Sequence, residues 1–283
     1  MTIGKYKIST IETGRISLDG GAMYGVVPKV FWEKTNPPDE KNRIILTTRL
    51  LVLESDSKKI LIDTGTGDNW DEKFAKIYNI DHSAYDLYPE LKRIGIEPDE
   101  ITDVILTHLH FDHTGGAIIK ENDKVYPAFA NAKYYVQKKH YEWANNPSKK
   151  DGASFIKERF VTLYDEGVLK LLNDETEFDD NISFILCDGH TFSQQLVKIS
   201  DSGRPLLYCA DLLPLHTHIQ LPYIMAYDLQ PLITLKEKTE LLKKAADENW
   251  MLFFEHDPYI SAATVKHSDK GVVIADKYEQ FPG

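Results

Sequence analysis

Residues 107–116 read THLHFDHTGG and directly follow the apolar run VIL, Val104 to Leu106. Three histidines and an aspartate, His108, His110, Asp112 and His113, thus crowd the end of what reads as a buried strand. Neutral burial would leave several polar groups unsatisfied, and simple exposure gives no reason for the cluster. In extended backbone alternate residues share a face, so His108 and His110 can point into one space. The turn after Phe111 can then carry Asp112 and His113 to a neighbouring position. Three further ionisable residues also stand just after apolar, strand-like runs: His190 in CDGHT, Asp211 in YCAD and His256 in FFEHD. A chain with this pattern must gather several strand ends at one place. Two adjacent divalent metal ions are implied. Imidazole nitrogen and carboxylate oxygen suit zinc, and also manganese, iron or cobalt.

The rest of the chain limits what such a centre can serve. Lys and Arg number 33 against 44 Asp and Glu, and the net charge of −11 argues against nucleic acid as a main partner. The opening MTIGKYKISTIETG alternates polar and apolar residues rather than forming a secretory signal, and no later run is long enough to span a membrane. The expectation is therefore a cytoplasmic protein without a membrane partner. Cys187 and Cys209 lie inside apolar runs and read as buried, reduced packing residues.

Strands are expected from Tyr6 to Leu18, in IILTTRLLVLES and KKILIDTG as a hairpin, and at Lys133–Val136, Ile182–Cys187, Gln195–Ile199 and Leu206–Ala210. Helices are expected at Tyr85–Arg93, Lys139–Ala144 and Ser154–Tyr164. Another is expected in TLKEKTELLKKAADENW, where Leu235, Thr239, Leu242 and Ala246 recur at helical spacing. The residues after His256, ISAATVKHSDKGVVIA, read as further strands. No repeat or linker divides residues 1–283, so one domain is expected. Strand runs in both halves with helices between them favour an α/β arrangement of two packed mixed sheets flanked by helices. A doubly wound sheet is the other arrangement the pattern permits.

HLHFDH, followed at long intervals by GHT, a strand-end Asp and a strand-end His, resembles the metallo-β-lactamase superfamily. The resemblance runs over nearly the whole chain, including Asp63 in ILIDTG. It implies the αββα sandwich, with the site between its halves. It also implies that His108, His110 and His190 bind one metal, that Asp112, His113 and His256 bind the other, and that Asp211 bridges them. Asp63 would orient a ligand histidine from behind.

Of the remaining histidines, His82, His140 and His267 read as solvated, whereas His216 and His218 in LLPLHTHIQLP are candidates to line the pocket. DGGAMYGVVPKVFWE and ADLLPLHTHIQLPYIMAYDLQP resemble the branch containing N-acyl-homoserine lactonases and methyl-parathion-type hydrolases. Class B β-lactamases are exported, glyoxalase II relatives carry a helical C-terminal domain, and RNA-processing relatives need basic surfaces; none of these matches the sequence. The implied activity is opening of a lactone ring, acyl-homoserine lactones first, by attack of a metal-bridging hydroxide with Asp112 carrying a proton. The alternative is phosphotriester or aryl-ester hydrolysis at the same site, and a non-catalytic metal-binding or sensor protein is a third reading.

Met23, Tyr24, Phe31 and Trp32 would cover the acyl chain, or else pack on the core or on a partner in a homodimer. Pro214 stands where many such lactonases have a tyrosine that holds the substrate carbonyl, which leaves His218, Tyr223 or Tyr227 to replace it. GHTFSQ replaces the usual GHTPG, so the turn after His190 is expected to differ in shape.

Overall fold

The computed structural model describes residues 1–81, 86–122 and 124–282. Its first sheet begins with β1 (Thr2–Ile3), β2 (Tyr6–Asp19), β3 (Arg43–Glu54), β4 (Lys59–Ile62) and β5 (Asp103–Ile105). A separate hairpin, β6 (Ile118–Glu121) and β7 (Lys124–Pro127), precedes β8 (Lys133–Gln137) and β9 (Leu169–Leu172), which complete that sheet in the order β1-β2-β3-β4-β5-β8-β9. The second sheet runs in chain order through β10 (Ile182–Cys187), β11 (Gln194–Ile199), β12 (Leu206–Tyr208), β13 (Met251–Phe253), β14 (Ala262–Ser268) and β15 (Gly271–Tyr278). Both sheets are mixed: β4, β5, β8 and β9 are parallel neighbours in the first, and β12 and β13 in the second. These two packed mixed sheets are the arrangement that the resemblance implies, and the doubly wound alternative is excluded.

Eight helices are described: α1 (Gly20–Tyr24), α2 (Lys29–Trp32), α3 (Glu72–Tyr78), α4 (Leu87–Arg93), α5 (Phe111–Thr114), α6 (Lys138–Asn145), α7 (Lys157–Asp165) and α8 (Pro231–Asp247). The helix expected from Tyr85 begins at Leu87, with Asp86 just before it outside the helix; Tyr85 and His82 lie outside the described residues.

Strand β3 shows why the two layers form. Leu51 and Leu53 face the core shared by the two sheets, while Leu50 and Val52 face a second core with Leu91, Phe160 and Leu163 of the covering helices. A strand buried on both faces reads as a continuous apolar run, as RLLVLE does. Cys187 and Cys209 are buried free thiols, as their apolar contexts suggested. No helix among the described residues is long and apolar enough to cross a membrane.

Helix α8 departs from its expected phase. Its buried face is Thr234, Lys238, Leu241, Leu242 and Ala245, whereas Thr239 is exposed. The face is rotated because Lys238 turns inward and donates from Nζ to the carbonyls of Gln220, Leu221 and Tyr223 at 3.0, 3.4 and 2.6 Å. Hydrogen bonds to three carbonyls offset the cost of burying an ammonium group, something residue-type periodicity does not register.

Three contacts lock the sheets together beside the histidine motif. Gln195 of β11 donates from its backbone to the Thr107 carbonyl at 2.9 Å and from its side chain to the Leu106 carbonyl at 2.8 Å. Gln137 of β8 donates to Gln195 Oε1 at 2.8 Å. On the other side, the amides of Thr47 and Arg49 in β3 donate to the carbonyls of His256 and Glu255, each at 3.0 Å. The DTG and HTGG segments also close on each other, with Thr64 N–H donating to the His113 carbonyl at 2.9 Å and Gly115 N–H to the Gly65 carbonyl at 2.7 Å.

A side chain at Gly115 would run into the backbone of Thr66. Gly115→Ala is therefore expected to cost about 3 kcal/mol, the upper end of ordinary overpacking, because backbone rather than a movable side chain must give way. Denaturant midpoints check this, and a midpoint equal to wild type would show that the two loops are not held that closely.

Candidate metal centre

The strand-end residues converge. Ligand-type atoms of His108, His110, His190 and Asp211 lie within 4.8 Å of one another, and those of Asp112, His113 and His256 form a second such group. All seven residues are buried. Asp211 faces both groups with a different oxygen: Oδ2 lies 3.2 Å from His190 Nε2 and 3.8 Å from His108 Nε2, and Oδ1 lies 3.1 Å from His256 Nε2 and 3.6 Å from His113 Nε2.

Within the first group, His110 Nδ1 is 3.0 Å from His108 Nε2 and 3.1 Å from His190 Nε2. Three ring nitrogens turned on one point present lone pairs that only a cation or shared protons can reconcile. His110 Nε2 and Asp211 Oδ1 are buried without a hydrogen-bond partner. The donor set therefore fits two divalent cations, and its nitrogen and oxygen chemistry suits the ions inferred from the motif.

Electrostatics agree with that reading. Burial pushes the pKa values of His108 and His110 well below the ordinary range, and neighbouring histidines add to the effect, so both rings are neutral donors. Burial opposes charge on His190 and His256, but Asp211, together with Asp228 for His190 and Glu255 for His256, outweighs it and holds each at about 9. Burial works against the Asp211 carboxylate, yet His190, His256 and His113 hold its pKa well below the usual range.

Most outer ring nitrogens are fixed from behind. His113 Nδ1 donates to Asp63 Oδ2 at 3.0 Å, which places Asp63 where the resemblance expected it. Asp63 also accepts the Thr107 N–H and hydroxyl, both at 2.7 Å, and Thr107 Oγ1 lies 3.1 Å from His108 Nδ1. His190 Nδ1 donates to Asp228 Oδ1 at 2.9 Å, and His256 Nδ1 to the Thr47 carbonyl at 2.8 Å. Glu255 is fully buried with Oε2 3.2 Å from His113 Nδ1, so this one ring nitrogen stands between two carboxylates. Sequence reasoning missed Asp228 and Glu255. The position of Glu255 directly before His256 was the only signal available for either.

His140 was expected to be solvated and is instead fully buried. Its Nε2 accepts the Leu109 N–H at 2.8 Å and its Nδ1 donates to the Phe192 carbonyl at 2.7 Å, tying the HLH strand end to the turn after His190. In that turn Ser193 has φ 53°, the left-handed conformation. His267 is exposed, as expected.

A cavity of 160 Å³ opens over the cluster, lined by His110, Asp112, His190, Asp211 and His256 together with Met23, Leu46, Phe111, Met225 and Tyr227, among others. Of the expected pocket residues, Met23 lines it and four do not. Tyr24 is buried, stacks on Trp32 and donates to Asn36 Oδ1 at 2.6 Å. Trp32 packs over Gly20 in the core, and Phe31 is 58% exposed. His216 is held by Asp257, 2.5 Å from its Nδ1, and faces a different cavity.

Two of the three residues named to stabilise the carbonyl are also absent from this lining. His218 stacks on Tyr24, donates from Nε2 to the Met23 carbonyl at 2.9 Å, and is pushed down to about 3 by burial. Tyr223 packs edge-on against Tyr24. With His216 anchored on Asp257, the short turn that follows directs His218 into the aromatic stack rather than the cavity. Of the tyrosines named as replacements, Tyr227 reaches the wall, which Tyr78 also lines, and burial raises the phenol pKa of Tyr227, keeping it a hydrogen donor.

Residues 48–256 match the family model described as the Metallo-beta-lactamase superfamily. An N-acyl homoserine lactonase of Bacillus thuringiensis is 28% identical over 170 residues, 59% of this chain and 60% of that protein, so the match spans less than two thirds of the relative. A probable metal-dependent hydrolase from Staphylococcus aureus superposes with a TM-score of 0.89 at 26% identity, covering 99% of each chain. AidC, a dizinc quorum-quenching lactonase solved with a product, superposes with a TM-score of 0.81 at 21% identity over 100% of this chain and 97% of AidC.

The fully buried His140 ring generates a pH prediction. Burial lowers its pKa from 6.5 to about 4. A base depressed in the folded state contributes stability that is complete above its unfolded pKa and is lost as pH falls toward its folded pKa. From about pH 7.5 to about pH 5 this one group should remove about 2 kcal/mol. In chelator, so that ion release does not contribute, His140→Gln is expected to lose about that much less stability than wild type over the same interval. Equal losses in the two proteins would assign the acid sensitivity elsewhere.

Proposed function

Because this chain belongs to the metallo-beta-lactamase superfamily, we propose that it is a dinuclear metal-dependent hydrolase that opens lactone rings, with acyl-homoserine lactones the best-supported substrate class. One observation carries the dinuclear reading: a single buried carboxylate, Asp211, presents one oxygen to each of two groups of nitrogen and oxygen donors. His108, His110 and His190 would hold one ion, Asp112, His113 and His256 the other, and Asp211 both, zinc being the first choice for this donor set. When bound, such a pair supplies a water acidified to near neutrality and positive charge for the carbonyl. Residues 1–283 would act as one domain, since both sheets contribute residues to the site.

The chain's own groups do the rest. Asp112 lines the cavity beside His256, its Oδ2 3.8 Å from Nε2, where it can receive a proton and pass it to the leaving ring oxygen. Tyr227 takes the part left open by Pro214, donating its phenolic hydrogen to the carbonyl oxygen as charge gathers there. Met23, Leu46, Phe111 and Met225 provide the apolar wall for the start of an acyl chain. Lys150 steadies the segment bearing Tyr227, donating to the carbonyls of Ala226, Tyr227 and Asp228 at 2.9, 2.9 and 3.0 Å. Support for the lactone substrate comes from the B. thuringiensis relative that carries that name.

Metal content tests the centre directly. Elemental analysis is expected to find about two transition-metal ions per chain, with activity lost to chelator and restored by zinc, manganese or cobalt. Asp211→Asn keeps the shape and removes the charge, and should lower both occupancy and turnover. Full occupancy and full turnover in that variant would refute the bridging role.

Substrate class is tested by kcat/KM for acyl-homoserine lactones, γ- and δ-lactones, aryl esters and paraoxon-like triesters. Lactones should lead. Tyr227→Phe should lower lactone kcat by about 100-fold with little change in KM, as for a contact made mainly in the transition state, while His218→Ala should spare turnover. Triesters exceeding every lactone by about tenfold, or ~1.4 kcal/mol, would replace this reading with phosphotriester hydrolysis.

A further inference from the structure

The largest cavity described lies away from the metal centre. It measures 920 Å³ and sits between α8, the β14–β15 hairpin and the turn at 216–222. Ile219 and Leu242, 3% and 1% exposed, form its floor, and Val272 to Ile274 of β15 form a wall. The lip carries Leu221, which is 37% exposed. An apolar hollow of this size matches small-molecule sites rather than ordinary surface relief.

Its charge is as distinctive as its shape. Lys243, Lys270, Lys277 and His267 line it, and no carboxylate does. Among the described residues the three lysines have no ion-pair partner, while His267 is bonded to Asp247 at 2.6 Å. On a chain of net charge −11, three unpaired ammonium groups around an aliphatic hollow form a local field of opposite sign to the rest of the molecule. Lysine stems can cover apolar surface while their heads stay at the rim, so chain and charge can be met together.

We propose that this groove binds a long-chain aliphatic carboxylate, its tail on Ile219, Leu242 and the β15 wall and its head among Lys243, Lys270 and Lys277. The site is separate from the metal centre. The turn His216–Ile219 lies between them, with His216 N–H and Nδ1 both turned to Asp257 and Thr217 Oγ1 3.0 Å from the Tyr24 hydroxyl. The groove therefore stands or falls independently of which ester the metal site cleaves.

Calorimetry on the metal-loaded protein with dodecanoate below its micelle concentration tests this. One acid per chain is expected to bind. The combined variant Lys243→Glu/Lys270→Glu/Lys277→Glu should weaken it by about tenfold or more while leaving turnover unchanged, because those side chains are exposed and remote from the metal cluster. Val273→Asp, which leaves the lysines in place, should weaken binding as well, so the outcome does not depend on the folding of one variant. Several results would overturn the proposal. One is undiminished affinity in both variants with competitive inhibition of turnover, which would place the carboxylate on the metals. Another is equal affinity for dodecyltrimethylammonium, which would remove the role of charge. Binding only to anionic vesicles would make the groove a membrane contact, and a dimer in light scattering that Val273→Asp dissociates would make it an interface between copies.

Discussion

The position of Asp211 is the constraint from which the rest of the structure follows. Five imidazoles and a second carboxylate surround it in the interior, where an unmatched charge would cost several kcal/mol. Its burial is tolerable because each oxygen meets a different set of ring nitrogens. Asp211 follows β12 of the second sheet, while the HLHFDH residues follow β5 of the first. A small slip of one sheet against the other would take its oxygens from their partners. Sheet packing and site geometry are thus one requirement, which explains the buried polar contacts that tie the layers beside the site, Gln195 to Leu106 on one side and Thr47 to His256 on the other.

Orientation comes from the layer behind. A ring nitrogen can face the centre reproducibly only if the opposite nitrogen is also held, and Asp63, Asp228 and the Thr47 carbonyl do this for His113, His190 and His256. Asp63 does so from a left-handed backbone conformation, φ 58°. Strain of that kind costs about 1–3 kcal/mol and persists only where surrounding contacts over-determine it. Here the two Thr107 bonds and the His113 bond exhaust the carboxylate's close partners. Glu255 then adds a second carboxyl group beside the same His113 nitrogen, its pKa raised to about 7 by burial, so the two halves of the centre have different electrostatic backing.

Much of this was legible in the sequence, for reasons that differ by element. The two-layer fold was readable because strands buried on both faces are continuous apolar runs, and seven convergent residues were readable because each stands just beyond such a run. What escaped depends on partners remote in the chain. His140 looks solvated in QKKHYEW, yet it is buried because Leu109 and Phe192 supply its two hydrogen bonds. Asp228 looks like a loop residue until His190, 38 positions earlier, is brought beside it. Met23, Tyr24, Phe31 and Trp32 were visible as a group, but their division between cavity wall, core and surface depended on contacts remote in the chain, such as that of Tyr24 with Thr217.

The cavity at the metal cluster sets the terms on which a substrate can be chosen. At 160 Å³ it is small beside the ~300–1,000 Å³ usual for ligand sites, so under the proposed function a ring and its carbonyl would sit inside while a long tail would pass out along the wall. That wall includes Met225, Ala226 and Tyr227, from a stretch with no regular secondary structure of its own. Two ammonium groups substitute for that structure. Lys238 gathers the carbonyls of Gln220, Leu221 and Tyr223, and Lys150 those of Ala226, Tyr227 and Asp228. Burial brings Lys238 down to about 7 against the opposing pull of Asp228, so burial works against its charge near neutral pH. The same segment supplies Tyr227 to the cavity and Asp228 to His190, which means that Lys150, in holding the cavity wall, also holds a ligand-type histidine in place. The cavity wall and the orientation of His190 are therefore coupled through one short loop, and a change at Lys150 would act on both.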